Sequence, residues 1–296
     1  MNPQLSGALF ALAAFIAWGV LPAYWKQIQA VNPLEILCHR VVWSCVFLAL
    51  IISWQQRWSE VKAVLGTAAN LKKLSLSGLL IGFNWFIYSW AVNTGHVVET
   101  SLGYYINPMV NVLIGYLLLG ERFNRLQMFA VLCALAGVVY SLAAYGDLPL
   151  FALTLALSFA FYGYARKKIQ VAPIPGLLIE TVVLLLPALA YLIYRQSVHE
   201  SLFLRQLTPS LWLIGAGAAT SLPLLWFASA TRKLNLSTIG ILQYIAPSIA
   251  FVLGVFVYRE GFDRHSLVTF GLIWCGVIIY CSDSINRKRK RMSFHA

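Results

Sequence analysis

Charge is what this sequence has least of. Asp, Glu, Lys and Arg together make up 11% of its 296 residues, and only 10 residues are acidic. A soluble domain carries about 25% charged residues, so this chain lacks the polar groups to coat a water-facing surface. Cys-x-x-Cys pairs are also missing. Cys38, Cys45, Cys133, Cys275 and Cys281 lie inside or at the ends of apolar runs and read as small buried hydrophobes. There is no G-x-x-x-x-G-K-[ST] loop, which argues against ATP-driven pumping within the chain. Neither H-E-x-x-H nor G-x-S-x-G occurs. The five histidines are dispersed, without metal-ligand spacing. No metal, no cofactor and no enzyme activity is expected. Gly215-Ala216-Gly217 faintly echoes a dinucleotide loop, but small-residue packing of a spanning helix explains it better. The N-terminus lacks the basic region of a cleaved signal peptide, so the apolar run from Leu5 to Trp25 is expected to be retained.

Apolar residues fill the space that charge leaves, at 60% of the chain. A spanning helix needs about 20 mostly apolar residues. Ten runs qualify: 5–25, 35–54, 74–93, 100–119, 126–144, 148–166, 176–194, 209–230, 238–258 and 266–283. The expected fold is therefore an all-α integral membrane protein with ten transmembrane helices. The net charge of +12 invites a nucleic-acid reading. The basic residues sit in short clusters between the runs, however, which suits the positive-inside rule better than a phosphate-binding face. With a cytoplasmic N-terminus, 16 of the 22 Lys and Arg residues fall on the inside. The exceptions are Lys26, Arg40, Arg195, Arg205, Arg259 and Arg264. Both termini are thus expected inside, with residues 284–296 as a basic cytoplasmic tail.

Sliding the chain against itself by 139 residues reveals a repeat. Gly78 meets Gly217, Ala91 meets Ala230, and Tyr105-Ile106 meets Tyr244-Ile245. Pro108 meets Pro247, Gly115 meets Gly254, Glu121 meets Glu260, Phe123 meets Phe262, and Gly137 meets Gly276. At the front, Trp18-Gly19 resembles Tyr162-Gly163 at a slightly different offset. The unit is five helices, over 5–144 and again over 148–283. Five is odd, so the second copy enters the membrane from the opposite side. Inverted five-helix repeats of this kind are a transporter architecture. The paired prolines should free the carbonyls of Tyr104 and Gln243, near opposite membrane faces. Pro108 and Pro247 are hinge or gate candidates, with static kinks shared by descent as the other reading.

Polar residues inside spans are costly and are functional candidates. Glu35 and His39 share one face of the second span, while Arg40 points about 100° away. Arg40 offers a charge for a substrate carboxylate or phosphate, and His39 a site for a proton. Interfacial anchoring or helix–helix bonding is the other reading for both. Asn84 lies deep and needs a partner. Tyr105, Asn107, Gln243 and Tyr244 complete the candidate cavity-lining set. Aromatics with a few amides suit a small amphipathic solute, although a lone Trp or Tyr at a helix end more often belongs to the interfacial belt. Glu180 lies close enough to the inner face to be interfacial. Glu121 with Arg122, and Glu260 with Arg259, read as end-capping charge with local ion pairing.

Several strings resemble the RarD, or chloramphenicol-sensitive protein, branch of the EamA family in the drug/metabolite transporter superfamily. They include Trp18-Gly19-Val20-Leu21-Pro22-Ala23-Tyr24, Glu35-Ile36-Leu37-Cys38-His39-Arg40 and Glu99-Thr100-Ser101-Leu102-Gly103-Tyr104-Tyr105-Ile106-Asn107-Pro108. Gly120-Glu121-Arg122-Phe123, Phe161-Tyr162-Gly163 with Arg166-Lys167-Lys168, and Gln243-Tyr244-Ile245-Ala246-Pro247 join them. The resemblance covers nearly the whole chain. It implies two inverted EamA-type units, an inner-membrane location, and small-solute permease or efflux activity, with spans one to four and six to nine around a central cavity. The leading expectation is a secondary transporter, an exporter of a small amphipathic or anionic metabolite or drug. The alternatives are an uncoupled facilitator or channel, and a non-transporting membrane sensor or assembly protein. The expected partners are a small-molecule substrate and the lipid bilayer, with a homodimer left open and no nucleic acid.

Overall fold

The computed structural model describes residues 3–257 and 264–293, which are helical throughout apart from short connections. In chain order the helices are α1 (Pro3–Trp25), α2 (Pro33–Trp54), α3 (Trp58–Leu65), α4 (Ala68–Asn93), α5 (Val97–Leu118), α6 (Arg125–Tyr145), α7 (Leu150–Lys168), α8 (Pro173–Val183), α9 (Leu185–Ser197), α10 (Leu207–Thr231), α11 (Leu236–Gln243), α12 (Ile245–Val252) and α13 (Arg264–Ser293). Local signals set several ends. Asn32 caps α2 by accepting from the Leu34 amide at 2.9 Å, with Pro33 at the first helical position. Asn124 and Gln127 form a capping box on α6, which stops at Gly146 with φ 86°.

Among the described residues, seven segments are long and apolar enough to cross a membrane, and α8 with α9 makes an eighth if the bent pair is one span. Helices α5 and α7 fall short of that apolarity despite having 22 and 19 residues. At 1.5 Å per residue they reach roughly 30 Å, the thickness of a bilayer core. The polarity of α5 is spent inside the bundle on side-chain amide bonds, and that of α7 lies in its final turn, Arg166-Lys167-Lys168. Glu260, Arg259 and Phe262, which the repeat singled out, lie outside the described residues.

Helix neighbours come in matched pairs. α5 packs on α7, and α12 on α1; α4 on α7, and α10 on α1; α2 on α10, and α8 on α4; α6 packs on α13. Exchanging the first five segments for the last five leaves this pattern unchanged. Close backbone approaches obey the same exchange. A Cβ on Gly137 would meet the Thr269 carbonyl at 2.9 Å, and one on Gly276 the Ala130 carbonyl at 2.5 Å. Residues 130 and 269, like 137 and 276, are 139 apart, so the contact is reciprocal. Going up α6 from 130 to 137 means going down α13 from 276 to 269, so the two helices are antiparallel.

The kinks differ from the symmetrical expectation. The ninth segment is interrupted at Tyr244, three residues before Pro247, between α11 and α12. Pro108 sits inside an unbroken α5. A third proline, Pro187, was passed over in the sequence. Its segment bends by 50° between α8 and α9, at Leu184, again three residues before the proline. Both breaks lie where the amide that proline lacks and the clash of its ring one turn back weaken a helix, while Pro22 and Pro223, like Pro108, sit inside unbroken helices.

Candidate functional site

The end of the bundle where α1 and α4 finish, and α2, α5 and α7 begin, is called the upper end here. Amides on α5 fasten the middle of the bundle. Asn107 donates to the Ala156 carbonyl of α7 at 2.7 Å. Its Oδ1 accepts from Asn111 at 3.2 Å and from Gln243 of α11 at 2.5 Å. Asn111 also donates to Gln243 Oε1 at 2.8 Å, while its own buried Oδ1 has no partner. Asn84 donates to the Leu155 carbonyl and to Ser158 Oγ, each at 2.9 Å, tying α4 to α7. The Tyr244 hydroxyl donates to the Tyr105 carbonyl at 3.2 Å, so two repeat-equivalent residues touch. The Tyr105 ring lies edge-on to Phe270. Pro108 offers its carbonyl to the close approach of Gly240, where a Cβ would stand 2.6 Å away. Pro247 is buried just past the break at Tyr244. These residues lie together along the α5–α11 seam, with Asn84 one helix away.

His39 and Arg40 occupy different surroundings, as their angular separation predicts. The His39 ring packs on Phe203 at 4.5 Å, and its Nδ1 accepts from Trp43 Nε1 at 3.3 Å. Its Nε2 is buried without a partner. His39 therefore lies beneath the segment between α9 and α10, which Glu35 anchors through Arg195 at 3.4 Å and Ser201 at 2.5 Å. Arg40 points the other way. Its Nε donates to Thr220 Oγ1 of α10 at 3.0 Å. Its guanidinium lies over the rings of Trp85, 4.8 Å from the centroid, and Trp25, at 5.1 Å. The hydroxyls of Tyr88 and Tyr104 are within its electrostatic range and within reach of each other. Tyr104 keeps 50% of its surface accessible although its hydroxyl lies close to Tyr88 and Arg40 on neighbouring helices. That combination marks a residue facing a space between helices. Neither α1 nor α2 packs extensively on α5, so Arg40 on α2 and Tyr104 on α5 face each other across this chamber.

Below the chamber an aromatic cluster packs between α1, α7 and α10. Trp18, Phe159 and Phe227 lie with ring centroids 5.3–5.6 Å apart, and Phe15 and Tyr162 extend the cluster. Lower still, Arg166 and Glu180 form an ion pair at 3.1 Å with both side chains almost wholly buried. Tyr162 donates to the second Glu180 oxygen at 3.4 Å. The interfacial reading of Glu180 is corrected: Gly78 and Gly176 leave room for the pair inside the bundle. Lys167 bonds the carbonyls of Thr231 and Leu234, closing the end of α10 onto α7. Glu121 is not paired locally either. It accepts from the amides of Leu236 and Ser237 at 2.7 and 2.9 Å and from Ser237 Oγ at 2.5 Å, capping α11 across the seam. Sequence reasoning left Trp25, Trp85, Tyr88, Tyr104 and Thr220 out of the candidate set. The i, i+3 and i, i+7 spacing of Tyr104, Asn107 and Asn111 is a signal that would have found Tyr104. No group of His, Cys, Asp and Glu among the described residues is arranged to hold a metal.

Comparison with known proteins adds a family. The model of the EamA-like transporter family matches residues 5–143 and again 148–282. "Protein RarD" of Salmonella typhi is 45% identical over 286 residues, covering 96% of this chain and 97% of that one. An "Uncharacterized transporter" of Vibrio cholerae is 45% identical over 280 residues, or 94% and 93% of the two chains. "Chloramphenicol-sensitive protein RarD" of Pseudomonas aeruginosa is 31% identical over 96% of both. A solved crystal structure superimposes with a TM-score of 0.73 over 94% of this chain and 97% of that one. At 18% identity it speaks for the fold alone.

Proposed function

This chain belongs to the EamA-like transporter family, a multi-pass membrane transporter by that membership, and from that premise we propose that it is a secondary carrier exporting a small amphipathic or anionic solute across the inner membrane. Ten spans arise if α5, α7 and the bent α8–α9 pair each cross, giving five-helix units over 5–144 and 148–283. The observation that carries this reading is the reciprocal, antiparallel packing of Gly137 on Thr269 and of Gly276 on Ala130. A two-fold axis relating antiparallel spanning helices lies in the membrane plane, as alternating access by inverted repeats requires. The distribution of Lys and Arg supports placing the upper end outside and both termini in the cytoplasm.

In this assignment the Arg40 chamber faces outward, and the aromatic cluster with the Lys167 and Glu121 bonds closes the inner side. The unequal prolines fit one state of a cycle: the segment holding Pro247 is interrupted at Tyr244 while α5 runs unbroken past Pro108. A transport assay in proteoliposomes tests the reading. Flux that accelerates under an imposed pH gradient supports a coupled carrier, and gradient-independent flux would make the protein a facilitator. Full flux in both Pro108→Ala and Pro247→Ala would remove the gate role of the prolines. Uptake into inside-out vesicles, but not right-side-out ones, tests the direction.

A further inference from the structure

Arg40 holds one positive charge that no carboxylate among the described residues balances. It forms no ion pair among the described residues, and its strongest electrostatic neighbours are two tyrosine hydroxyls. The nearest acid along α2, Glu35, is already engaged by Arg195 and Ser201. Only Nε of the guanidinium is used, on Thr220. Both terminal nitrogens are without a partner among the described residues and are open to the chamber. Thr220 and the rings of Trp25 and Trp85 fix the plane of the group, so a rigid two-pronged donor is held in place before any ligand arrives.

A planar carboxylate matches that donor in shape and charge. One guanidinium neutralises one negative charge; a phosphate dianion would keep a second charge unbalanced in a site where the described residues place no second cation against Arg40. The remaining walls are Trp25, Trp85, Tyr88 and Tyr104, which suit a flat apolar body. The chamber equally lacks something an amino acid needs. An α-ammonium group sits beside its carboxylate, so it would approach Arg40 with the same sign of charge and find no acid among the described residues to accept it. We propose that the ligand of this chamber is an aromatic monocarboxylate without an amino group, its carboxylate bridging both terminal nitrogens of Arg40 and its ring lying among the tryptophan and tyrosine walls. Binding of this class follows from the chamber alone; its transport rests on the carrier reading above.

The test uses the full-length purified protein and a matched series: phenylacetate, acetate, phenylalanine and phenethylamine, with binding measured by calorimetry. Phenylacetate should saturate the protein. Acetate, lacking the ring, and phenylalanine, carrying the ammonium, should each bind at least tenfold more weakly. Phenethylamine should not saturate. Arg40→Lys keeps the charge but loses the fork and should weaken phenylacetate at least tenfold, and Arg40→Gln should abolish its binding. The proposal is overturned if phenylacetate fails to saturate, if phenylalanine or phenethylamine matches it, or if Arg40→Gln still binds it. The series on the unaltered protein decides the matter even where a variant fails to fold. Counterflow of labelled phenylacetate in proteoliposomes separates the two readings. Binding without flux upholds the ligand class and removes the carrier. Flux of phenethylamine that Arg40→Gln leaves intact overturns the ligand class and keeps the carrier.

Discussion

Replacing Glu180 with leucine should be among the most damaging single changes in the protein. Arg166 and Glu180 are 1% and 0% exposed as side chains, and Arg166 Nε already lacks a partner. Removing the carboxylate leaves a guanidinium in the bundle interior without its counter-ion. Breaking a buried pair from one side costs about 3–5 kcal/mol. At roughly 2 °C per kcal/mol for a chain of this size, the midpoint of thermal unfolding in detergent should fall by about 6–10 °C. The double replacement Arg166→Met, Glu180→Leu removes both charges. Methionine can follow the slot that Gly176 opens beside Arg166, where a Cβ would come within 2.6 Å of Nη1. Most of the loss should return, leaving the double variant within about 2 kcal/mol of the parent. The assay is a thermal melt of all four proteins in one detergent, read as a double-mutant cycle. A single replacement costing under about 1 kcal/mol, or a double variant as poor as the sum of the singles, would refute the reasoning. Either result would mean that the guanidinium reaches water rather than resting on the carboxylate.

Other changes probe the joints between helices. Gly217→Ala should cost about 1–3 kcal/mol, because its Cβ would meet the Trp43 carbonyl carbon at 2.3 Å. Gly271→Ala, in the same kind of helix with nothing within 4 Å, should be neutral or gain up to about 1 kcal/mol; equal effects in thermal melts would refute the packing argument. Glu121→Ala removes three bonds from the start of α11 and should lower stability by about 2 kcal/mol, with Glu121→Gln losing less. A melt in which the alanine variant matches the parent would show that α11 is not held there. Asn84→Leu should cost only about 1 kcal/mol despite its depth, since polar bonds between spanning helices are individually weak. A loss of several kcal/mol, or of substrate binding without loss of stability, would assign Asn84 to the ligand instead.

Most helix positions were legible because apolar run length sets them directly. The segments from Leu5 and Glu35 match α1 and α2 to within two residues. The third start was less visible. α4 begins at Ala68, six residues before the apolar run, because Leu71-Lys72-Lys73 continues the helix on a polar turn. Short α3 was missed for the same reason, since Trp58–Leu65 is amphipathic rather than apolar. Glu121 shows a different limit. Its place at the end of a span suggested local charge pairing, but its partners are the amides of Leu236 and Ser237, more than a hundred residues on. Backbone donors leave no mark on side-chain sequence.

The candidate site shows why residue type alone cannot separate a ligand group from a fastener. Arg40 and Asn84 are both polar, both inside a span, and about equally far from its end. What divides them is the element opposite. Asn84 faces α7, which comes close enough for the Leu155 carbonyl and Ser158 to take both amide hydrogens. Arg40 faces α5, which runs instead against α7 and α11 and leaves its terminal nitrogens free. That route of α5 is fixed by Asn107, Asn111 and Gln243, none of which touches Arg40. The amides that draw α5 toward the second half of the chain thereby hold open the space in front of the arginine. Weakening them should therefore alter ligand affinity at Arg40 as well as stability, a coupling that no single residue in the string reveals.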